Sequence, residues 1–326
     1  MALRRSDAGV AVLLSEIPAF AGHLRAATLL RPKAGAPVRE DSSVGGPLLW
    51  PAGEEWPLCT AAHLVETREK LTDRERETCL RIDRERREWH VRHPDRPYRL
   101  STEDAAEQAR IMAGAGVLDL IAWERVRRVP DTTGSGVPMV PVVQLFARDV
   151  PGVPWPSGTD VLQLLWCPND HAEQPAQPGY RGPAVDLRFR ASPAARQHRV
   201  PPPRPDRADR GYLPHPCTVA PVRIAELPDP DELPAELYET GEAWAEEHGV
   251  EFHRGLACRP GWKVGGWPSW HQTDLVPVEC DCGAAMRLLL TLDSGGDPHL
   301  NVGRFGELRV FTCPVDGSHP FRLNLQ

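Results

Sequence analysis

A chain of 326 residues, 41% of them hydrophobic, is long enough for two ordinary domains or one large duplicated one, with apolar side chains for a substantial core. Its formal charge of −7 counts against a dedicated phosphate-backbone binder, which needs a basic face. No run approaches the roughly 18 to 20 apolar residues that span a bilayer, and Asp7 and Glu16 interrupt the apolar N-terminal stretch, so the expectation is a cytoplasmic protein with no membrane contact. The 35 prolines, about twice a usual share of roughly 5%, favour short strands joined by stiff turns over long helices.

In chain order, residues 8 to 31 read as a short helix broken near Pro18 and then a strand at Ala27 to Leu30. The stretch that follows is punctuated by Pro, Gly and Ser but carries Trp50 and Trp56, which marks an ordered loop rather than a linker. From about 60 to 128 Pro and Gly thin out and mixed charges take over. Thr72 with Glu75 makes a capping-box signature, Cys79, Ile82 and Trp89 fall at roughly helical spacing, and Ser101 with Asp104 opens a second helix. The alternation of arginine with glutamate cancels most of the field, so this insertion reads as helical, with a solvated, self-paired face. Beyond it, VPMVPVVQLFARDV, TDVLQLLWCP and AVDLRF are strands. Residues 192–217, rich in Pro and Arg and without periodicity, read as the seam between halves. Past the seam come a strand from Cys217, an amphipathic helix using Leu237, Gly241 and Trp244, a strand–knuckle–strand unit at LVPVECDCGAAMRLLLTLDS, and two closing strands.

The halves repeat two features in the same order. SVGGPLLW, at Ser43 to Trp50, returns as KVGGWPSW, at Lys263 to Trp270; LLWCPNDH, at Leu164 to His171, returns as VFTCPVDGSHP, at Val310 to Pro320. The fold expected is therefore α+β and β-rich: two pseudo-symmetric repeats of antiparallel sheet, residues 1–191 and 218–326, with a helical insertion at about 60–128 in the first.

These motifs, DSSVGGPLLWPAGEEWP, VVQLFARDVPGVPWPSGTDVLQLLWCPNDH, KVGGWPSWHQ and CDCGAAMRLLLTLDS, resemble the YwqG-like family of bacteria, which is distantly similar to the programmed cell death protein two group. The charged segment 60–128 is an addition to that family's pattern. The resemblance implies a non-enzymatic protein-binding module: an immunity protein neutralising a toxin, or, as in the eukaryotic relatives, a chaperone for a ribosomal or other client protein.

Eight cysteines without regular spacing read as reduced thiols. Cys59, Cys79, Cys217 and Cys258 read as small buried hydrophobes. Cys280, Cys282, Cys313 and His319 are four soft ligands that two adjacent hairpins would bring together around zinc. Against zinc stand the C-x-C spacing and the recurrence of Cys167 and His171 in a half that has no C-x-C pair, so a metal-free structural cluster remains the other reading. Asp170 with His171 and Asp316 with His319 are the only acid–base pairs in sight, and no nucleophile elbow, phosphate loop or metalloprotease motif accompanies them. No catalytic residue or bound organic cofactor is expected. Partner contact is assigned instead to the turns: Gly45, Gly46, Trp50 and Trp56 in the first half, and Lys263, Gly265, Gly266, Trp267, Pro268, Trp270 and Gln272 in the second, tryptophan being enriched at interface hot spots. The structural alternative is that these rings plug the ends of the sheets.

Overall fold

Two six-stranded antiparallel sheets hold most of the described strands, which are numbered along the sequence. The first has the order β13 (Val222–Glu226), β1 (Arg25–Leu29), β14 (Lys263–Gly265), β15 (Arg287–Asp293), β16 (Glu307–Thr312), β17 (Arg322–Leu325). The second has the order β2 (Lys33–Ala34), β12 (Cys217–Thr218), β3 (Ser43–Val44), β9 (Val140–Phe146), β10 (Val161–Asp170), β11 (Pro183–Arg190). Each sheet thus runs from two outer strands through a Gly-Gly strand into a three-stranded meander, as the repeat requires. The computed structural model describes residues 3–113, 116–131, 136–172, 174, 176–192, 202–270, 274–303 and 305–326. Gln272, expected at a groove, lies outside the described residues.

Register explains how two sheets make one core. Residues directly opposite in an antiparallel pair share a face. Val264, Leu290, Val310 and Leu323 form one such row, and Val44, Val143, Leu164 and Leu187 its counterpart. Both rows belong to a single buried cluster, so the apolar faces of the two sheets pack on each other. One position earlier on each Gly-Gly strand the same register gives a polar row on the opposite face: Lys263, Thr291, Arg309 and Asn324 in one sheet, Ser43, Gln144, Gln163 and Arg188 in the other. The tryptophan closing each Gly-Gly motif covers its own row. The Arg309 guanidinium lies 4.8 Å from the centre of the Trp270 ring, and those of Arg188 and Arg190 lie 4.8 and 4.5 Å from that of Trp50.

The boundary between halves divides the sequence but not the sheets. β1 of the first half pairs with β13 and β14 of the second, and β12 of the second half pairs with β2 and β3 of the first. Beside this sandwich, helices α1 (Leu3–Glu16) and α4 (Ala235–Glu247) share a satellite cluster with Phe20 and Phe252. Gly241 of α4 faces both phenylalanine rings so closely that a Cβ would stand 2.6 Å from each.

The chain separates into a larger unit, Met1–Ala61 with Ser135–Gln326, and a smaller one, Ala62–Gly134. Within the larger unit, β4 (Leu58–Cys59) pairs with β8 (Val137–Pro138) and closes the root of the insertion. The insertion is not purely helical, contrary to expectation. Helices α2 (Asp73–Arg92) and α3 (Thr102–Met112) start as read, with the Thr72–Glu75 capping box formed and Ser101 accepting from the Asp104 N–H. They accompany a three-stranded sheet of order β5 (His63–Lys70), β7 (Glu124–Asp131), β6 (Val117–Asp119). These strands escape a hydrophobicity reading because they carry charges in place of an apolar alternation; Arg68, for instance, lies 3.4 Å from Glu124 across the sheet. The helix α5 (Phe252–Gly255) completes the regular elements described.

Candidate metal centre

The knuckle in the second half is built by backbone alone. Glu279 bridges Ala285, the Cys280 N–H donates to the Ala284 carbonyl at 2.9 Å, and Gly283 turns the chain at φ +82°, where L side chains are strained. It projects Cys280 and Cys282 toward the end of β16, where Cys313 and His319 sit. The four ligand atoms lie within 4.8 Å of one another. The Cys282 and Cys313 sulfurs are 3.7 Å apart, and Cys280 Sγ is 3.3 Å from His319 Nδ1. A tetrahedral ion with Zn–S near 2.3 Å and Zn–N near 2.0 Å needs S–S edges of about 3.8 Å and S–N edges of about 3.5 Å, whereas a disulfide needs about 2.05 Å. The backbone N–H groups of Asp316 and Val315 point at Cys313, and the first of these does most to bring its thiol down to about 6, close to the thiolate that a metal requires. The sequence-based grouping of Cys280, Cys282, Cys313 and His319 is therefore met in space.

A second cluster occupies the corresponding place in the first half. Met286 N–H donates to the Val278 carbonyl and Met139 N–H to that of Pro57, so Cys59 stands in the repeat where Cys280 does. Cys59 Sγ lies 3.2 Å from His171 Nε2, beside Cys167 on β10. The side-chain hydrogen bond with Cys167, then that with His171, pushes the Cys59 thiol down, while the bond with Cys59, then burial, pushes Cys167 up. His171 directs Nδ1 at the Gly182 carbonyl, 3.1 Å away, which leaves Nε2 with its lone pair toward the sulfurs. Cys59 is thus not a mere buried hydrophobe. Its spacing from Cys167 hid it, because the missing partner of the Cys-Pro…His motif comes from the far side of an insertion. Both Cys/His clusters can hold a metal ion.

The turn residues assigned to partner contact are mostly interior. Lys263 is 1% exposed; its Nζ lies 2.8 Å from Glu226 Oε1 and donates to the Trp267 carbonyl at 2.6 Å. The Trp267 and Arg259 backbone N–H groups also donate to the Glu226 carboxylate, at 2.6 and 2.8 Å. Trp50, Trp262, Pro268 and Trp270 are buried. Trp56 donates to the Met139 carbonyl at 2.7 Å, and Trp267 donates to that of His23 at 3.0 Å beneath the Arg25 guanidinium. Gly45 and Gly46 fit against neighbours at which a Cβ would come within 2.7 Å of the Pro214 and His215 carbonyls and 2.6 Å of the Ser43 hydroxyl. The physical reason for this correction is that each turn folds back over the polar row of its own sheet. Lys263, Trp50 and Trp270 are committed to that row and do not form a surface.

The polar layer also supplies a pH test. Burial, then the nearby Glu307, raises the Asp293 carboxyl to about 6. A carboxyl whose folded pKa exceeds its unfolded value holds more protons when folded, so its penalty appears as pH rises from about 4 through about 6. Two units correspond to about 3 kcal/mol, and solvent screening of this half-exposed group reduces that to about 1 kcal/mol. Asp293→Asn is accordingly expected to raise the unfolding free energy by about 1 kcal/mol at pH 7.5 and to leave it unchanged at pH 4, checked by urea unfolding at both pH values.

Of the expected contact residues, Gly265 and Gly266 do border an opening. A cleft of about 930 Å³ passes the second Gly-Gly turn, walled by Trp155, Phe189 and Leu288, with Arg25 and Arg287 on its lining and Cys313 at one side. Trp155 meets Phe189 edge-on at 5.8 Å. Of the acid–base pairs, Asp170 accepts from the Tyr212 hydroxyl at 2.5 Å while His171 faces Cys59, and Asp316, on the lining of the cleft, stands 3.7 Å from His319 Nε2. Among the described residues no helix is long and apolar enough to cross a membrane. No family model matches the chain, and no curated protein matches it.

Proposed function

We propose that the protein is a non-enzymatic binder of a partner polypeptide, received in the cleft beside the second Gly-Gly turn. The observation that carries this reading is the cleft itself: about 930 Å³ of aromatic and aliphatic wall with two arginines, one of them the exposed Arg287. Such a lining suits an extended segment that offers apolar side chains and a carboxylate. Zinc at Cys280, Cys282, Cys313 and His319 has a structural part in this scheme, since it would pin the 313–318 loop that forms one wall. Toxin neutralisation is the first reading of the partner and client chaperoning the second; membership of the YwqG-like family belongs to the same proposal.

The test is recovery of the partner from the protein's own cells by the tagged chain and by Arg287→Glu, a change at an exposed position that leaves the core untouched. Wild type is expected to retain a defined polypeptide and the variant at least tenfold less, with unchanged thermal unfolding. Equal recovery by both chains, or none by wild type, overturns the proposal. A toxin in the bound fraction selects immunity; a ribosomal or nascent chain selects chaperoning.

A further inference from the structure

We infer that Cys59, Cys167 and His171 form a second zinc site, the buried counterpart of the knuckle, and that it ties down the root of the insertion. Three independent features converge on it. The first is the donor set: two thiols and an imidazole nitrogen whose ligand atoms lie within 4.8 Å of one another, all three side chains buried, at 4%, 0% and 0% exposure.

The second is the set of groups around the ligands. The Gly182 carbonyl fixes the tautomer of His171, the Asn169 side-chain amide lies 3.7 Å from Cys167 Sγ, and backbone N–H groups of Ala61 and Asn169 reach the two sulfurs. Amide donors to sulfur and a carbonyl behind a histidine are what stabilise thiolates and aim imidazoles in metal sites. A packed apolar interior has no need of either.

The third is the duplication. Cys59, Cys167 and His171 stand at the positions that Cys280, Cys313 and His319 hold in the other half, on the same pairings ahead of β9 and β15 and at the ends of β10 and β16. The one ligand of the knuckle with no counterpart in the first half is Cys282, two residues past Cys280. In the first half the chain leaves for the 62–134 insertion at that very point.

The two sites should differ in exchange, because Cys282 is exposed whereas Cys59, Cys167 and His171 are buried. The experiment is zinc content of the full chain purified from zinc-supplemented cells, for wild type, Cys167→Ser and Cys280→Ser. Expected are two ions in wild type and one in each variant, with a chelator stripping the ion left in Cys280→Ser at least tenfold more slowly than that left in Cys167→Ser. One ion in wild type that vanishes in Cys167→Ser also sustains this site, and sinks the knuckle. One ion that vanishes only in Cys280→Ser overturns the inference and leaves the knuckle standing; no ion in wild type overturns both. If Cys167→Ser does not fold, cobalt(II) titration of apo Cys280→Ser decides: a thiolate-to-cobalt charge-transfer band that His171→Asn weakens supports the site, and a band that it leaves unchanged, or no band, overturns it.

Discussion

Glu226→Ala is expected to lower the unfolding free energy by about 3–5 kcal/mol, the cost of leaving a buried cation without its counter-charge. Glu226 is 0% exposed and Lys263 1%. The carboxylate holds the second Gly-Gly turn together from inside, accepting from Lys263 Nζ and from the Trp267 and Arg259 backbone N–H groups. Its removal strands the ammonium and two amides at once. Lys263→Met should cost less, because the carboxylate keeps both backbone donors, and pairing it with Glu226→Met should recover part of the loss by removing the charges together. Gly266 belongs to the same cradle: a Cβ there would stand 2.1 Å from Glu226 Oε1, on a backbone at φ +76°. Urea unfolding of the three variants measures the effect; a loss below about 1 kcal/mol for Glu226→Ala would show that the pair is not what shapes the turn.

Metal removal should have the second large effect. An ion bound by the folded state alone at about 1,000 times its dissociation constant stabilises that state by about 4 kcal/mol, which at about 2–4 °C per kcal/mol lowers Tm by about 8–16 °C on chelation. Both clusters sit where distant segments of the larger unit meet, Cys280 and Cys282 against Cys313 and His319, and Cys59 against Cys167 and His171. Without the ion, each leaves paired sulfurs with only weak hydrogen bonds between them. The measurement is thermal unfolding before and after chelation, with zinc added back. A Tm that chelator does not move, in protein shown to have carried metal, would deny the ions a structural part.

Much of this molecule was legible before its structure. The Gly-Gly motifs at Gly45 and Gly265 mark the third strand of each sheet, the Cys-Pro…His motifs mark the ends of β10 and β16, and Cys280, Cys282, Cys313 and His319 group as soft ligands on adjacent hairpins although their C-x-C spacing is not the usual one for zinc. Such features are local, written in residues a few positions apart. The strands β5, β6 and β7 were illegible for the opposite reason: their pattern is one of charge, and cross-strand ion pairing leaves no hydrophobic period.

By itself, then, the sequence determined that the chain is β-rich and duplicated, where its turns fall, and which half carries a C-x-C knuckle. Tertiary structure alone decided three further matters. It exchanged β1 and β12 between the halves, it drew Lys263 inward onto Glu226, and it brought Cys59 to His171 across 112 positions. Each depends on which strand pairs with which and in what register, and that choice is made by burying the apolar faces of both sheets against each other.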